Sequence, residues 1–333
     1  MSVVARVDIR DRAVRIARSA GMAPSHYNAQ PWSLSVQADC VEVWADPTRR
    51  AEVSDPDGRQ SLIGVGAAVY AVRLELGEMG WASTVEPWPD PEQPDLAARL
   101  RITDPRAAAA DMHALWQQIP RRRTVRSRMR PDVDPGLRRL LALHVAAEGC
   151  GLRWVEAPAD RRALASLVVL AEHGQQGDPQ MLGELARWVD PGVVAGGTGI
   201  PVYALGPDGD MGHTAEFPMR DFGGGVRRPS ASARRPEPNP AVAVLTTSSD
   251  EPVEWLHAGQ GLMRLLLAAT GHGLAASFLN QPLENAGLRA QVRSELALPG
   301  SPQVVLRLGR PGGLWPPAPP RRAPQDLLRE PPA

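Results

Sequence analysis

The sequence predicts an α+β chain made of two related halves. A length of 333 residues, at roughly 150 residues per domain, gives about two domains. A hydrophobic content of 43% is enough to bury a sizeable core. The third observation is a repeat: Gly64 to Trp81 (GVGAAVYAVRLELGEMGW) and Ala258 to Leu274 (AGQGLMRLLLAATGHGL) share a small-residue start, an apolar body and a Gly-terminated end. We read the pair as an internal duplication.

The elements follow in order. Arg10 to Gly21 places Ala13, Val14, Ile16, Ala17 and Ala20 at helical spacing and stops at a glycine, ahead of the Pro-containing stretch Ala23 to Trp32. Trp32 to Val36 and Cys40 to Trp44 flank a short polar break at Gln37 to Asp39, the pattern of a β-hairpin. Ser61 to Gly80 reads as an apolar helix whose small residues let another element approach closely, followed by a strand near Ser83 to Pro87. In the second half the order is a helix at Pro135 to Ala147, a strand at Leu152 to Glu156 and a helix at Asp160 to His173. A strand at Val242 to Thr247, a long helix at Glu254 to Thr270 and a strand at Gln303 to Leu308 complete it. Between them Pro191 to Pro240, rich in Gly and Pro, is too long for an ordinary connection and is expected to be a lid or a linker. Its apolar anchors Ile200, Val202, Tyr203, Phe217, Met219 and Phe222 favour docking, and the tail from Pro311 is expected to be mostly extended.

Charge and cysteine usage remove several function classes. Lys+Arg 37 against Asp+Glu 37 leaves no net field to draw in nucleic acid or an anionic membrane. The chain contains no lysine, so any anion site must use guanidinium groups or backbone amides. Cys40 and Cys150 stand far apart with no CxxC partner, which fits a reducing, cytoplasmic setting without a disulfide framework. The most apolar runs, such as Leu164 to Ala171, fall far short of a membrane span. The seven histidines form no HxH or HxxxH pair, so no metal ligands are expected. Gly271 to Ala276 matches a dinucleotide fingerprint but follows a helix instead of a strand, and is expected to be a helix C-cap. No GxSxG nucleophile motif is present.

Two loops carry candidate chemistry. In Ala23-Pro24-Ser25-His26-Tyr27-Asn28-Ala29-Gln30-Pro31-Trp32 two prolines fix the backbone while Ser, His, Asn and Gln supply exposed polar groups. In Arg121-Arg122-Arg123-Thr124-Val125-Arg126 an extended backbone would point Arg122, Thr124 and Arg126 the same way, two guanidinium groups and a hydroxyl suited to a phosphate monoester. Taken singly, the first also reads as a well-capped loop, and an isolated Arg cluster is more often a solvated basic turn.

Together the two loops resemble the signatures of the nitroreductase superfamily of FMN proteins, and the wider pattern resembles its Acg-type flavoproteins. The resemblance covers most of the chain: APSHYNAQPW at Ala23, RRTVR at Arg122, WLHAGQGLMRLLLAATGHGL at Trp255, PQVVLRLGRP ending at Pro311 and RRAP at Arg321. It implies a nitroreductase-like fold of two halves, 1–112 and 113–333, each a mainly antiparallel sheet flanked by helices, with a lid insertion at 191–240. Ordinary members carry both loops in one subunit and hold each flavin across an obligate dimer. Here the first half has Pro24, Ser25 and Asn28 with no RRSxR before them, and the second has Arg122, Arg123, Thr124 and Arg126 with no PSxxN after them. That division implies a monomer folded as an intrachain pseudo-dimer, with one complete flavin site and one lost site.

The resemblance assigns Arg122, Arg123, Thr124 and Arg126 to the FMN phosphate, ribityl chain and ring edge. Pro24, Ser25, His26 and Asn28 cover the ring from the other half. Arg322 stands for the family's C-terminal basic residue at the phosphate, and Leu279 and Asn280 for the loop facing the flavin N5 edge. No catalytic side chain is implied. Arginine suits both a dianionic phosphate and a ring that becomes anionic on reduction. Two functions follow as expectations: an NAD(P)H-dependent oxidoreductase acting on nitroaromatic or quinone-like acceptors, or a flavin-binding or flavin-sequestering protein whose lid closes over the ring.

Overall fold

The computed structural model describes residues 8–105, 109–206, 216–222, 237, 239–313 and 315–330. In the first half, helix α1 (Ala13–Gly21) buries Ile16, Ala17 and Ala20, and strands β1 (Trp32–Val36) and β2 (Cys40–Ala45) form the expected hairpin, with Trp32 opposite Ala45. Helix α2 (Arg59–Glu78), strands β3 (Trp81–Pro87) and β4 (Leu96–Pro105) and helix α3 (Ala110–Trp116) follow. The second half contains β5 (Met129–Arg130), α4 (Pro135–Ala146), β6 (Gly151–Trp154), α5 (Pro158–Gln176), α6 (Pro179–Trp188) and α7 (Pro191–Ala195). It closes with β7 (Ala241–Thr247), α8 (Pro252–Gly271), β8 (Ala275–Phe278), α9 (Ala286–Glu295) and β9 (Ser301–Pro311). Three helices begin at Asp-Pro: Asp134, Asp178 and Asp190 each accept backbone N–H groups of the first turn while the following proline occupies a position that needs no donor.

Both sheets are antiparallel and share one plan. The first runs β1-β2-β4-β3; the second runs β6-β7-β9-β8, with β5 also on β9. In each half a helix precedes two neighbouring strands, a twenty-residue helix follows, and two further strands return to the sheet. The hairpin turn of the first half, Gln37 to Asp39, corresponds in the second to the whole excursion 155–240, so α5 and α6 belong with the segment 191–240.

The two long helices cross at the centre of the core. Each is apolar on nearly every face, as a fully buried helix must be. They touch through glycine: a Cβ on Gly66 would lie 2.1 Å from the Leu256 carbonyl oxygen, and one on Gly259 would lie 2.1 Å from that of Ile63. The contact is reciprocal, the same spacing of three residues read in both directions. Each helix is followed by a left-handed glycine, Gly80 (φ 87°) and Gly273 (φ 74°), which confirms the C-cap expected at Gly271 to Ala276.

The C-terminal tail returns to the first half. Leu327 is fully buried against α1, Leu328 bridges Leu34, and Arg329 N donates to the Leu34 carbonyl at 2.9 Å. This anchor lays residues 315–322 across the junction of the halves. Both cysteines are buried and free. Among the described residues no helix is long and apolar enough to cross a membrane.

Candidate functional site

The junction holds a cleft whose empty space, open solvent at its mouth included, is about 1240 Å³. Its first wall is the loop after α1. Tyr27, Asn28 and Gln30 all have positive φ (47°, 60° and 51°), a strained run that persists because its side chains are tied on every side. Ser25 Oγ accepts from Gln30 N at 2.9 Å, and Gln30 Nε2 donates to the Gly197 carbonyl at 2.8 Å. Asn28 Nδ2 donates to the Gly199 and Pro320 carbonyls, both at 3.0 Å, while its Oδ1 accepts from Arg321. Asn28 thus clasps loop, insertion and tail together. The absence of a side chain at Gly64 lets Ser25 sit directly on α2.

The second wall is the arginine segment. A bridge between Thr124 and Ala276 and a 2.9 Å bond from Val125 N to the Ala276 carbonyl hold it extended beside β8. Arg122 Nη2 donates to the Met22 carbonyl (3.1 Å), Arg123 Nη1 to the Pro120 and Arg122 carbonyls, and Arg126 Nη1 to the Ala204 carbonyl (2.7 Å). Arg321 reaches the same cavity from the tail and donates to the Ala23 carbonyl and Asn28. Among the described residues none of these four guanidinium groups pairs with a carboxylate. Burial, reinforced by neighbouring arginines, lowers Arg122 and Arg126 to about 10 and Arg321 to about 9. Among the described residues Arg122 Nε and Arg321 Nε are buried donors without a partner. Concentrated, uncompensated positive charge with orphaned N–H groups is a cradle for an anion.

The third wall comes from the excursion. Ile200, Ala204, Met219 and Phe222 line the cavity, and Phe222 lies under the Arg126 guanidinium at 4.8 Å. Arg220 donates to both carboxylate oxygens of Glu284 (2.6 Å) and to the Tyr27 hydroxyl (2.9 Å). Burial opposes the Arg220 charge, but Glu284, Tyr27 and Glu172 together outweigh it and raise its pKa. Burial raises the Tyr27 phenol to about 12 and holds the His26 ring well below its usual 6.5, with Arg220 and Arg59 adding to the latter.

Comparisons with known proteins find relatives over most of the chain. Over 325 residues the chain is 33% identical to the Mycobacterium tuberculosis protein named "Putative NAD(P)H nitroreductase Rv3131", covering 92% of this chain and 90% of the relative. It is 30% identical over 322 residues to "Putative NAD(P)H nitroreductase acg" of the same organism, covering 95% and 93%. The chain belongs to the nitroreductase family, Acg type. It is also 28% identical over 321 residues to "Uncharacterized protein Rv3127" of M. tuberculosis, covering 92% and 89%. No protein-family model matches the chain.

For this nitroreductase-family chain the cavity brings together nine of the residues singled out by sequence: Pro24, Ser25, His26, Asn28, Arg122, Arg123, Thr124, Arg126 and Asn280. Two lie elsewhere. Leu279 follows the cavity-lining Phe278 on β8, so its side chain turns to the opposite face and is fully buried beside Val305, and its N–H is bonded to the Val305 carbonyl. Arg322 turns away from the cavity and donates to the Gln30, Trp32 and Asp326 carbonyls, while its neighbour Arg321 faces inward. Asn280 lines the cavity, yet its Oδ1 accepts from Val305 N at 2.9 Å and serves the turn. Of the apolar anchors, Ile200, Met219 and Phe222 line the cavity, Phe217 packs under Arg161, and Val202 and Tyr203 are exposed. Sequence reasoning missed Arg220 and Arg321. The RRAP motif marked the right place for Arg321 one residue late, and nothing local signals a partner 64 residues away for Arg220.

Proposed function

We propose that this chain is an FMN-binding, NAD(P)H-dependent oxidoreductase acting on nitroaromatic or quinone-like acceptors. The observation that carries the reading is the group of four cavity arginines that, among the described residues, pair with no carboxylate, two of them with a buried Nε that has no partner there. That donor set fits a dianionic phosphate, and the apolar and aromatic walls fit a flat ring. Arg122, Arg123 and Arg321 would hold the phosphate, with the Thr124 hydroxyl beside them. Arg126, at the Phe222 wall, would supply positive potential where the ring gains negative charge. Bound FMN would supply the hydride chemistry; the chain binds, orients and excludes water. The names of the relatives support NAD(P)H as donor.

The reading includes an intrachain pseudo-dimer of halves 1–112 and 113–333, with one flavin site and a monomeric state. The matching strand orders and the reciprocal glycine crossing support it. A second reading, a flavin-sequestering protein with little reductase activity, is favoured by one observation: Ile200, Ala204, Met219 and Phe222 of the excursion and Pro316, Pro317 and Pro319 of the tail wall the same cavity. Tyr203 Oη donates to the Ala318 carbonyl at 2.8 Å and ties the two together. The absorption spectrum of the purified protein, followed by anaerobic addition of NADPH, tests both. A flavin spectrum that bleaches promptly supports the oxidoreductase, one that persists supports sequestration, and a colourless protein that takes up no added FMN refutes both.

A further inference from the structure

His26 Nε2 lies 2.8 Å from Ser54 Oγ, and Ser54 Oγ lies 2.6 Å from Glu184 Oε1 on α6. Ser54 and Glu184 are almost completely buried. Both Glu184 oxygens already act as acceptors, Oε2 for Val53 N–H (2.8 Å) and Oε1 for Ser54 N–H (3.1 Å). The Ser54 hydroxyl proton therefore points to Glu184, and the oxygen has only lone pairs left to offer. One of these faces His26; the Tyr27 hydroxyl also lies against this oxygen. A ring nitrogen facing a lone pair must carry the hydrogen. The ring stays neutral in its buried setting, where Arg220 and Arg59 add positive potential. Nδ1 is then the bare nitrogen. It has no hydrogen-bond partner among the described residues, and His26 lines the cavity.

We infer that Ser54 and Glu184 lock His26 in the Nε2–H tautomer, so that Nδ1 accepts a hydrogen bond from an N–H or O–H group of the molecule bound in the cavity. The opposite tautomer would present a donor at the same point and repel such a group. Ser54 and Glu184 are positioning residues that act through His26, and because Glu184 belongs to the excursion, docking of α6 sets what the far wall accepts. Only the identity of the bound molecule rests on the flavin reading.

The test is ¹⁵N NMR of the full-length protein labelled in its seven histidines, with His26 assigned by His26→Gln. Between pH 7 and 8 the expected His26 pattern is a proton-bearing Nε2 and a bare, pyridine-type Nδ1. Added FMN, its binding read independently by quenching of flavin fluorescence, should shift the Nδ1 resonance in the direction of an accepted hydrogen bond. Ser54→Ala should mix the tautomers and weaken FMN binding by about threefold to tenfold. A proton on Nδ1 in the parent protein overturns the inference, as does FMN that binds without moving Nδ1, or Ser54→Ala that leaves the tautomer unchanged. The tautomer is read on the unsubstituted protein before flavin is added, so the lock is decided even if Ser54→Ala does not fold. Failure to bind FMN would overturn the flavin reading alone.

Discussion

Arg321 and Arg322 are neighbours with opposite expected roles, and replacing each by methionine separates ligand binding from folding. Pressing the Arg321 guanidinium down to about 9 costs on the order of 4–5 kcal/mol. Because folding lowers this pKa, the unfolded chain holds the proton more tightly, and stability from this group rises only as pH climbs above about 9. At neutral pH the whole cost is present. Arg321→Met removes it but strands two acceptors, the Ala23 carbonyl and Asn28 Oδ1, at about 1–3 kcal/mol each. The terms nearly cancel, so stability without flavin should move by no more than about 3 kcal/mol. Flavin affinity should fall by about 1.5–3 kcal/mol, the worth of a charge-assisted hydrogen bond. The assay is urea unfolding with and without FMN held at one hundred times the parent dissociation constant. The parent should gain about 2.7 kcal/mol from FMN and Arg321→Met only about 0.3–1.3. Arg322→Met strands the Gln30 and Trp32 carbonyls outside the cavity; it should lose stability yet keep the full FMN increment. An undiminished increment in Arg321→Met, or a lost one in Arg322→Met, would refute the assignment of the cavity arginine.

Further outcomes follow from the same geometry. Flavin content should be one FMN per chain and the sedimenting mass that of a single chain, 35.8 kDa; two flavins, or a dimer with flavin bound across chains, would count against the intrachain pseudo-dimer. Gly259→Ala forces a methyl to within 2.1 Å of the Ile63 carbonyl oxygen and should cost about 1–3 kcal/mol or more in urea unfolding. Gly183→Ala, at an exposed position of α6 with nothing near its added methyl, should stabilise by about 0.5–1 kcal/mol. Replacing Gly206 to Arg228 with a short Gly/Ser linker removes Met219, Arg220 and Phe222 from the cavity wall. Most of that segment lies outside the described residues. Reduction of bound FMN by NADPH should then speed up in stopped-flow absorbance, and an unchanged rate would mean that the wall does not limit access.

The sequence by itself determined the elements whose signals are local. Period-3.6 runs announced α1, α2, α5 and α8 to within a few residues, and the hairpin at Trp32 to Ala45 followed from alternation around a polar break. The small-residue runs at Gly64 and Ala258 also signalled a close approach, because a helix that discards its side chains does so to admit a neighbour. Strand β4, helices α3, α6 and α9 and the short β8 were not legible. β4 mixes Arg and Thr into its alternation because one neighbour is a salt-bridged Glu42, and β8 is only four residues long. At the site, the loop Pro24 to Asn28 and the segment Arg122 to Arg126 were legible as polar groups on stiff backbone. Which arginine of Arg321-Arg322 faces the cavity, that Leu279 turns away from the cavity into the core, and that Arg220 meets Glu284 were decided only by tertiary structure. Each depends on the rotation of a chain segment about its own axis, and that rotation is set by partners far away in sequence: Asn28 for Arg321, Val305 for Leu279 and Tyr27 for Arg220. Local pattern fixes which groups exist, whereas the packing of the excursion and tail against the first half fixes which way they turn.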